Sequence, residues 1–152
     1  MAQIVVYTDG GCSGNPGPGG WAYILQWDSR TERASGGEAS TTNNRMELRA
    51  VIEALSAVAA RGLAGQVAVH TDSTYVRNGI TQWIDRWERN GWRTSAKEPV
   101  KNRELWERLR DVSRGRPVAW HWVTGHAGVP LNEECDALVQ QEIRRLVGGG
   151  RA

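Results

Sequence analysis

Phenylalanine is absent from the 152 residues, cysteine occurs only as Cys12 and Cys135, and no apolar run is long enough to span a bilayer. Without phenylalanine the core falls to Trp, Leu, Val and Ala; the eight tryptophans are also flat surfaces on which a ligand can stack. Two distant cysteines without CxxC spacing make neither a disulfide framework nor a zinc site, and point to a reducing compartment. The apolar stretch Ile4-Val5-Val6-Tyr7 is too short for a signal peptide or a membrane span and follows no basic region, so a soluble cytoplasmic protein without membrane contact is expected. A dominant charge is lacking too: 19 basic residues oppose 17 acidic ones, a formal net charge of +2, so any surface for a polyanion has to be local.

The length, with 39% hydrophobic and 24% charged residues, fits one globular domain at residues 1–147. Residues 148–152 carry no apolar anchor and read as a flexible C-terminal tail. Residues 3–9 read as a buried strand that stops at Asp9-Gly10-Gly11, and Cys12 to Gly20 is turn chemistry. Strands at 21–27 and 31–39 then complete an antiparallel meander. Thr41-Thr42-Asn43-Asn44 supplies N-cap residues for a helix whose apolar positions are Met46, Leu48, Val51, Ile52, Leu55 and Val58, which puts Glu47 in its first turns. Gly62 and Gly65 end that helix, and a strand at 67–71 closes on Asp72-Ser73, with helix-like sequence following. A helix at 102–112, a strand at 117–123 and a last helix at 132–147, with Cys135, Leu138, Val139, Ile143 and Leu146 on one face, complete an α/β chain.

Strand-end Asp9 and Asp72 and helix-borne Glu47 and Asp136 are the candidate site. Grouped carboxylates repel one another and either take up protons or bind hard cations, Mg²⁺ or Mn²⁺. Two such ions about 4 Å apart stabilise the attacking and leaving oxygens of a phosphoryl displacement. Taken singly, each position reads more readily as a turn, cap or dipole residue, and only the joint context favours the site. Between residues 82 and 101, Trp83, Trp87 and Trp92 interleave with five basic residues against three acidic ones, a mildly basic patch. Trp83 and Trp87, four apart, read equally as a helix face packed on the core. His126 lies in a glycine-flanked loop and titrates near neutrality, whereas His70 and His121 fall inside strands and read as structural.

Five segments carry a resemblance: Tyr7-Thr8-Asp9-Gly10-Gly11-Cys12 with Gly14-Asn15-Pro16-Gly17; Thr42-Asn43-Asn44-Arg45-Met46-Glu47-Leu48; Thr71-Asp72-Ser73; Gly125-His126-Ala127-Gly128; and Asn132-Glu133 to Asp136. In this order, from about residue 3 to 146, they resemble ribonuclease H of type 1, the bacterial ribonuclease HI form. The resemblance implies a five-stranded mixed sheet with helices on both faces and endonucleolytic cleavage of the RNA strand of an RNA–DNA hybrid, leaving 5′-phosphate and 3′-hydroxyl ends. It makes Asp9, Glu47, Asp72 and Asp136 ligands of two Mg²⁺ ions, with Mn²⁺ as substitute, and His126 a mobile aid to proton transfer or product release. Cys12, Asn15, Asn43 and Asn44 match positions that contact the hybrid near the scissile RNA. Trp83 and Trp87 match a DNA-strand channel in a basic handle, and Thr42 and Asn102 a DNA phosphate pocket. Ser40, Thr74 and Glu88 stand where the resemblance leads to Arg, Gln and Lys, which implies weaker though still salt-sensitive binding. A monomer is expected, with a single-strand-binding protein as a candidate partner. A junction resolvase or integrase of the same superfold, and a silent hybrid-binding module, stay open as alternatives.

Overall fold

Apolar residues at alternate positions send Ile4 and Val6 to one face of strand β1 (Ile4–Cys12) and Val5 and Tyr7 to the other. The computed structural model describes residues 3–94, 96–123 and 130–149. β1 pairs antiparallel with β2 (Gly17–Trp27), and β2 pairs antiparallel with β3 (Arg30–Thr41), the expected meander. On its other side β1 pairs in parallel with β4 (Val67–Thr71), which pairs in parallel with β5 (Val118–Trp122). The result is one five-stranded mixed sheet of order β3-β2-β1-β4-β5.

Helix α1 (Asn43–Ala60) begins where the Thr42 side chain accepts a hydrogen bond from the Arg45 backbone N–H at 3.3 Å. It buries Met46, Leu48, Val51, Ile52, Leu55 and Val58 on the face of the sheet that carries Ile4 and Val6. Helices α2 (Thr74–Asn78) and α3 (Ile84–Arg89) are joined by a π-helical turn at Gly79–Trp83, and α4 (Arg103–Ser113) packs against α1. α5 (Pro130–Gly149) covers β1, β2 and β3 from the opposite face through Cys135, Val139 and Ile143. No helix of the described residues is long and apolar enough to cross a membrane.

Three expected boundaries are corrected, and the first two bear on the site. The first strand does not stop at Asp9-Gly10-Gly11: Asp9, Gly10 and Gly11 pair with Ala22, Trp21 and Gly20, so Asp9 lies inside β1 and not at its end. The segment taken as turn narrows accordingly, because β2 starts at Gly17 and only residues 13–16 lie between the strands. The physical reason is tertiary. A Cβ on Gly10 would stand 2.3 Å from the Met46 carbonyl carbon and 2.4 Å from the Glu47 nitrogen, so this glycine is a strand residue over which the backbone of α1 passes. The last helix, expected at 132–147, spans Pro130–Gly149 and so includes two residues assigned to the tail.

Candidate active site

The register of the sheet sets two of the four carboxylates side by side. Tyr7 lies opposite His70 in the parallel β1–β4 pair, and that pairing ends there. Two residues further along each chain, on the same face by strand alternation, come Asp9 within β1 and Asp72 just beyond the end of β4. Glu47 reaches this edge from the first turns of α1, and Asp136 from the early part of α5 across the sheet. Asp9 is only 7% exposed. Burial, then the charges of Asp72 and Asp136, raise its carboxyl from 3.8 to about 8. The Glu47 carboxyl is raised as well, by burial above all, while hydrogen bonds from Ser73 and Asn43 work against the shift.

The donor set is four carboxylates, the oxygen ligands that hard divalent cations take. With ionisation of Asp9 penalised both by burial and by its neighbours, a bound cation would offset the penalty, and to that extent the residues fit a metal site. They share a field without forming a finished cage: among the described residues no three His, Cys, Asp or Glu side chains stand in a ready coordination group.

The rim is built by short-range polar chemistry. The Asn43 backbone N–H donates to Asn15 Oδ1 at 3.2 Å, tying the 13–16 turn to the start of α1, and Asn43 Nδ2 donates to Glu47 Oε1 at 3.3 Å. Cys12 Sγ donates to the carbonyls of Gly17 and Thr41, each at 3.3 Å, and its thiol is raised by burial. Asn44 is exposed on the first turn of α1. Cys12, Asn15, Asn43 and Glu47 are thus brought together. The expected His126 lies outside the described residues.

Further along, Trp83 and Trp87 are both half-buried with ring centroids 5.6 Å apart, and Trp87 also meets Trp106 at 5.6 Å and Trp92 at 6.2 Å. Trp87 packs on the core, Trp83 stands edge-on to Tyr75, and both line a cavity of about 360 Å³ with Arg86, Arg93 and Lys101 on its walls. Thr42 and Asn102, 60 positions apart, are linked by Arg45: its backbone N–H bonds to Thr42, and its Nη1 donates to Asn102 Oδ1 at 3.1 Å.

Four residues of the site were absent from the sequence-level candidates. Ser73 donates its hydroxyl to Glu47 Oε2 while accepting from the Val76 N–H as N-cap of α2, so one hydroxyl fixes both a helix start and a carboxylate. Its position after Asp72 was the available signal. Arg45 was visible only as a motif residue, and Tyr75, whose hydroxyl accepts from Asn102 Nδ2 and Trp106 Nε1 at 3.1 and 3.0 Å, carried no signal. Asn132 is fully buried one helical turn before Asp136, and among the described residues neither polar atom of its amide has a partner.

A family model described as RNase H matches residues 1–144. The chain belongs to the ribonuclease H family. It is 54% identical over 151 residues to Ribonuclease H of Brucella anthropi, covering 99% of this chain and 96% of that relative. It is also 54% identical over 140 residues to Ribonuclease HI of Brucella melitensis biotype 1, with 92% and 89% covered. Among solved structures, LC9-RNase H1, described as a type 1 RNase H with the type 2 active-site motif, matches with a TM-score of 0.83 at 33% identity, over 99% of this chain and 74% of that one. LC11-RNase H1, solved in complex with an RNA/DNA hybrid, gives 0.74 at 25% identity over 95% and 99%. This ribonuclease H is of the ribonuclease HI form, a nuclease, and its five-stranded sheet is that of the family.

Proposed function

We propose that this ribonuclease H hydrolyses the RNA strand of an RNA–DNA hybrid at the carboxylate cluster, with Asp9, Glu47, Asp72 and Asp136 holding two Mg²⁺ ions, or Mn²⁺ in their place. The observation that carries the reading is the convergence of carboxylates from two strands and from helices on both faces of the sheet, close enough that neighbouring charges help raise Asp9 to about 8. Bound there, the ions would supply an activated water and charge stabilisation for an in-line displacement that leaves 5′-phosphate and 3′-hydroxyl ends. Around them the side chains do the selecting. A 2′-hydroxyl is both donor and acceptor, and the polar edge formed by Cys12, Asn15, Asn43, Asn44 and the Glu47 carboxylate offers partners of both kinds.

The DNA strand has its own supports in this reading. Trp83 and Trp87 offer aromatic surface beside Arg86, Arg93 and Lys101, and the Thr42, Arg45 and Asn102 group offers a hydroxyl, a guanidinium and one amide to a phosphate. His126 serves proton transfer or product release. A monomeric state is supported by the surface, since Val147 is the one large apolar side chain exposed among the described residues. Labelled hybrid, RNA duplex and DNA duplex incubated with the protein, with Mg²⁺ and with EDTA, test the proposal. The RNA strand of the hybrid alone should be cut, and only with Mg²⁺; cleavage of all three duplexes, or cleavage in EDTA, would overturn it.

A further inference from the structure

Two of the three histidines face each other outside the carboxylate cluster. β4 and β5 run parallel with His70 directly opposite His121, and the two rings lie 4.6 Å apart between centroids and 10° from parallel. Tyr7 stacks on the other side of His70 at 4.6 Å and 19°. α5 covers this face of the sheet over β1, β2 and β3, whereas His121 is exposed and His70 half-buried. Beyond the sheet's own ladder, the His70 carbonyl accepts from the Thr8 hydroxyl at 3.4 Å, and among the described residues neither ring has a hydrogen-bond partner. An imidazole placed for structure normally has its ring nitrogens satisfied; here two sets stand side by side at a solvent-facing edge.

We propose that His70 and His121 form a chelating pair for a borderline divalent transition metal such as Zn²⁺, distinct from the carboxylate site. Imidazole nitrogen binds Zn²⁺ at about 2.0–2.1 Å in tetrahedral geometry, so two nitrogens sharing one ion stand roughly 3.3 Å apart. In the stack the nitrogen lone pairs lie in nearly parallel planes, so sharing one ion requires one ring to leave the stack and turn its nitrogen edge toward the other. His70 is held by Tyr7 on its far face, so the exposed His121 ring makes the adjustment. Two protein ligands leave the remaining positions to water, which gives reversible binding and not a structural site. Ligand softness separates the two sites: Mg²⁺ takes carboxylate oxygen, and imidazole selects zinc.

The test uses the full chain, ¹⁵N-labelled, at pH 8, where an ordinary imidazole is neutral, with saturating MgCl₂ to occupy the carboxylates. ZnCl₂ is titrated while the imidazole nitrogen resonances are followed. The expected result is one Zn²⁺ per chain, with ring nitrogens of His70 and His121 shifting together. His121→Gln, an exposed replacement, should weaken Zn²⁺ binding at least tenfold while keeping the melting temperature and the Mg²⁺-dependent cleavage of the native chain. His70→Gln should weaken binding to the same degree. Unchanged Zn²⁺ affinity in His121→Gln, shifts confined to His126, or no saturation below millimolar Zn²⁺ would each overturn the proposal.

Discussion

Removing the charge of Asp9 should stabilise the metal-free protein. Its carboxyl is raised from 3.8 to about 8, first by burial and then by Asp72 and Asp136. Below the ordinary value both the folded and the unfolded chain carry the proton, and folding meets no penalty. As pH rises the unfolded chain ionises and the folded one resists, so stability is lost progressively up to about 8. At 1.36 kcal/mol per pH unit the loss by pH 7.5 is about 5 kcal/mol as an upper bound. An asparagine amide in the same buried place forgoes about 1–3 kcal/mol through imperfect hydrogen bonding. The net gain for Asp9→Asn is therefore about 2–4 kcal/mol, a rise of roughly 5–10 °C in melting temperature for a chain of this size. Thermal and urea unfolding in EDTA, at pH 7.5 and at pH 4, measure it, and the gain should be large at the first and turn into a small loss at the second. A variant no more stable than the native chain at pH 7.5, or a gain of equal size at pH 4, would refute the electrostatic reasoning.

Gly10→Ala places a methyl group against the Met46 and Glu47 backbone and should cost about 3 kcal/mol or more, with loss of cleavage, as unfolding midpoints and turnover would reveal. Ser73→Ala removes both the cap of α2 and the hydroxyl bonded to Glu47; a loss of about 1–2 kcal/mol together with a higher Mg²⁺ requirement is expected, and an unchanged Mg²⁺ titration would count against Ser73 as a positioning residue. Glu88 is engaged by Arg110, which also pairs with Asp85, so Glu88→Lys adds one cation; the slope of log affinity for hybrid against log salt should steepen by about 1, read from fluorescence anisotropy in an Asp9→Asn background.

The parts of the fold legible in the sequence are those fixed by neighbours along the chain. The Thr42 cap, the apolar stripe of α1 and the strand at Val67–Thr71 depend on propensity and periodicity, and each stands where the pattern put it. Gly10 and Gly11 were misread because two glycines after a strand look like a turn, while Gly10 in fact admits the backbone of α1 at Met46 and Glu47 and Gly11 faces the Val139 side chain of α5, contacts far along the sequence. The π-helical turn has the same origin: a Cβ on Gly79 would stand 1.9 Å from the Trp106 ring. The carboxylates were individually visible as chemistry, yet their grouping depends on strand register and on two helices on opposite faces, which no spacing encodes. The family resemblance supplied that grouping in advance. The link from Arg45 to Asn102 and from Ser73 to Glu47 spans 57 and 26 residues, beyond the reach of any local pattern.

Turnover of a labelled RNA–DNA hybrid by Asp9→Asn in saturating Mg²⁺, at a concentration matched for folded protein, tests the carboxylate site most directly. Cleavage should fall by at least about a hundredfold while the fold is retained, as loss of charge stabilisation at a reacting phosphate requires. Turnover within a few-fold of the native chain would contradict the assignment of Asp9 as a ligand of the catalytic metal ions.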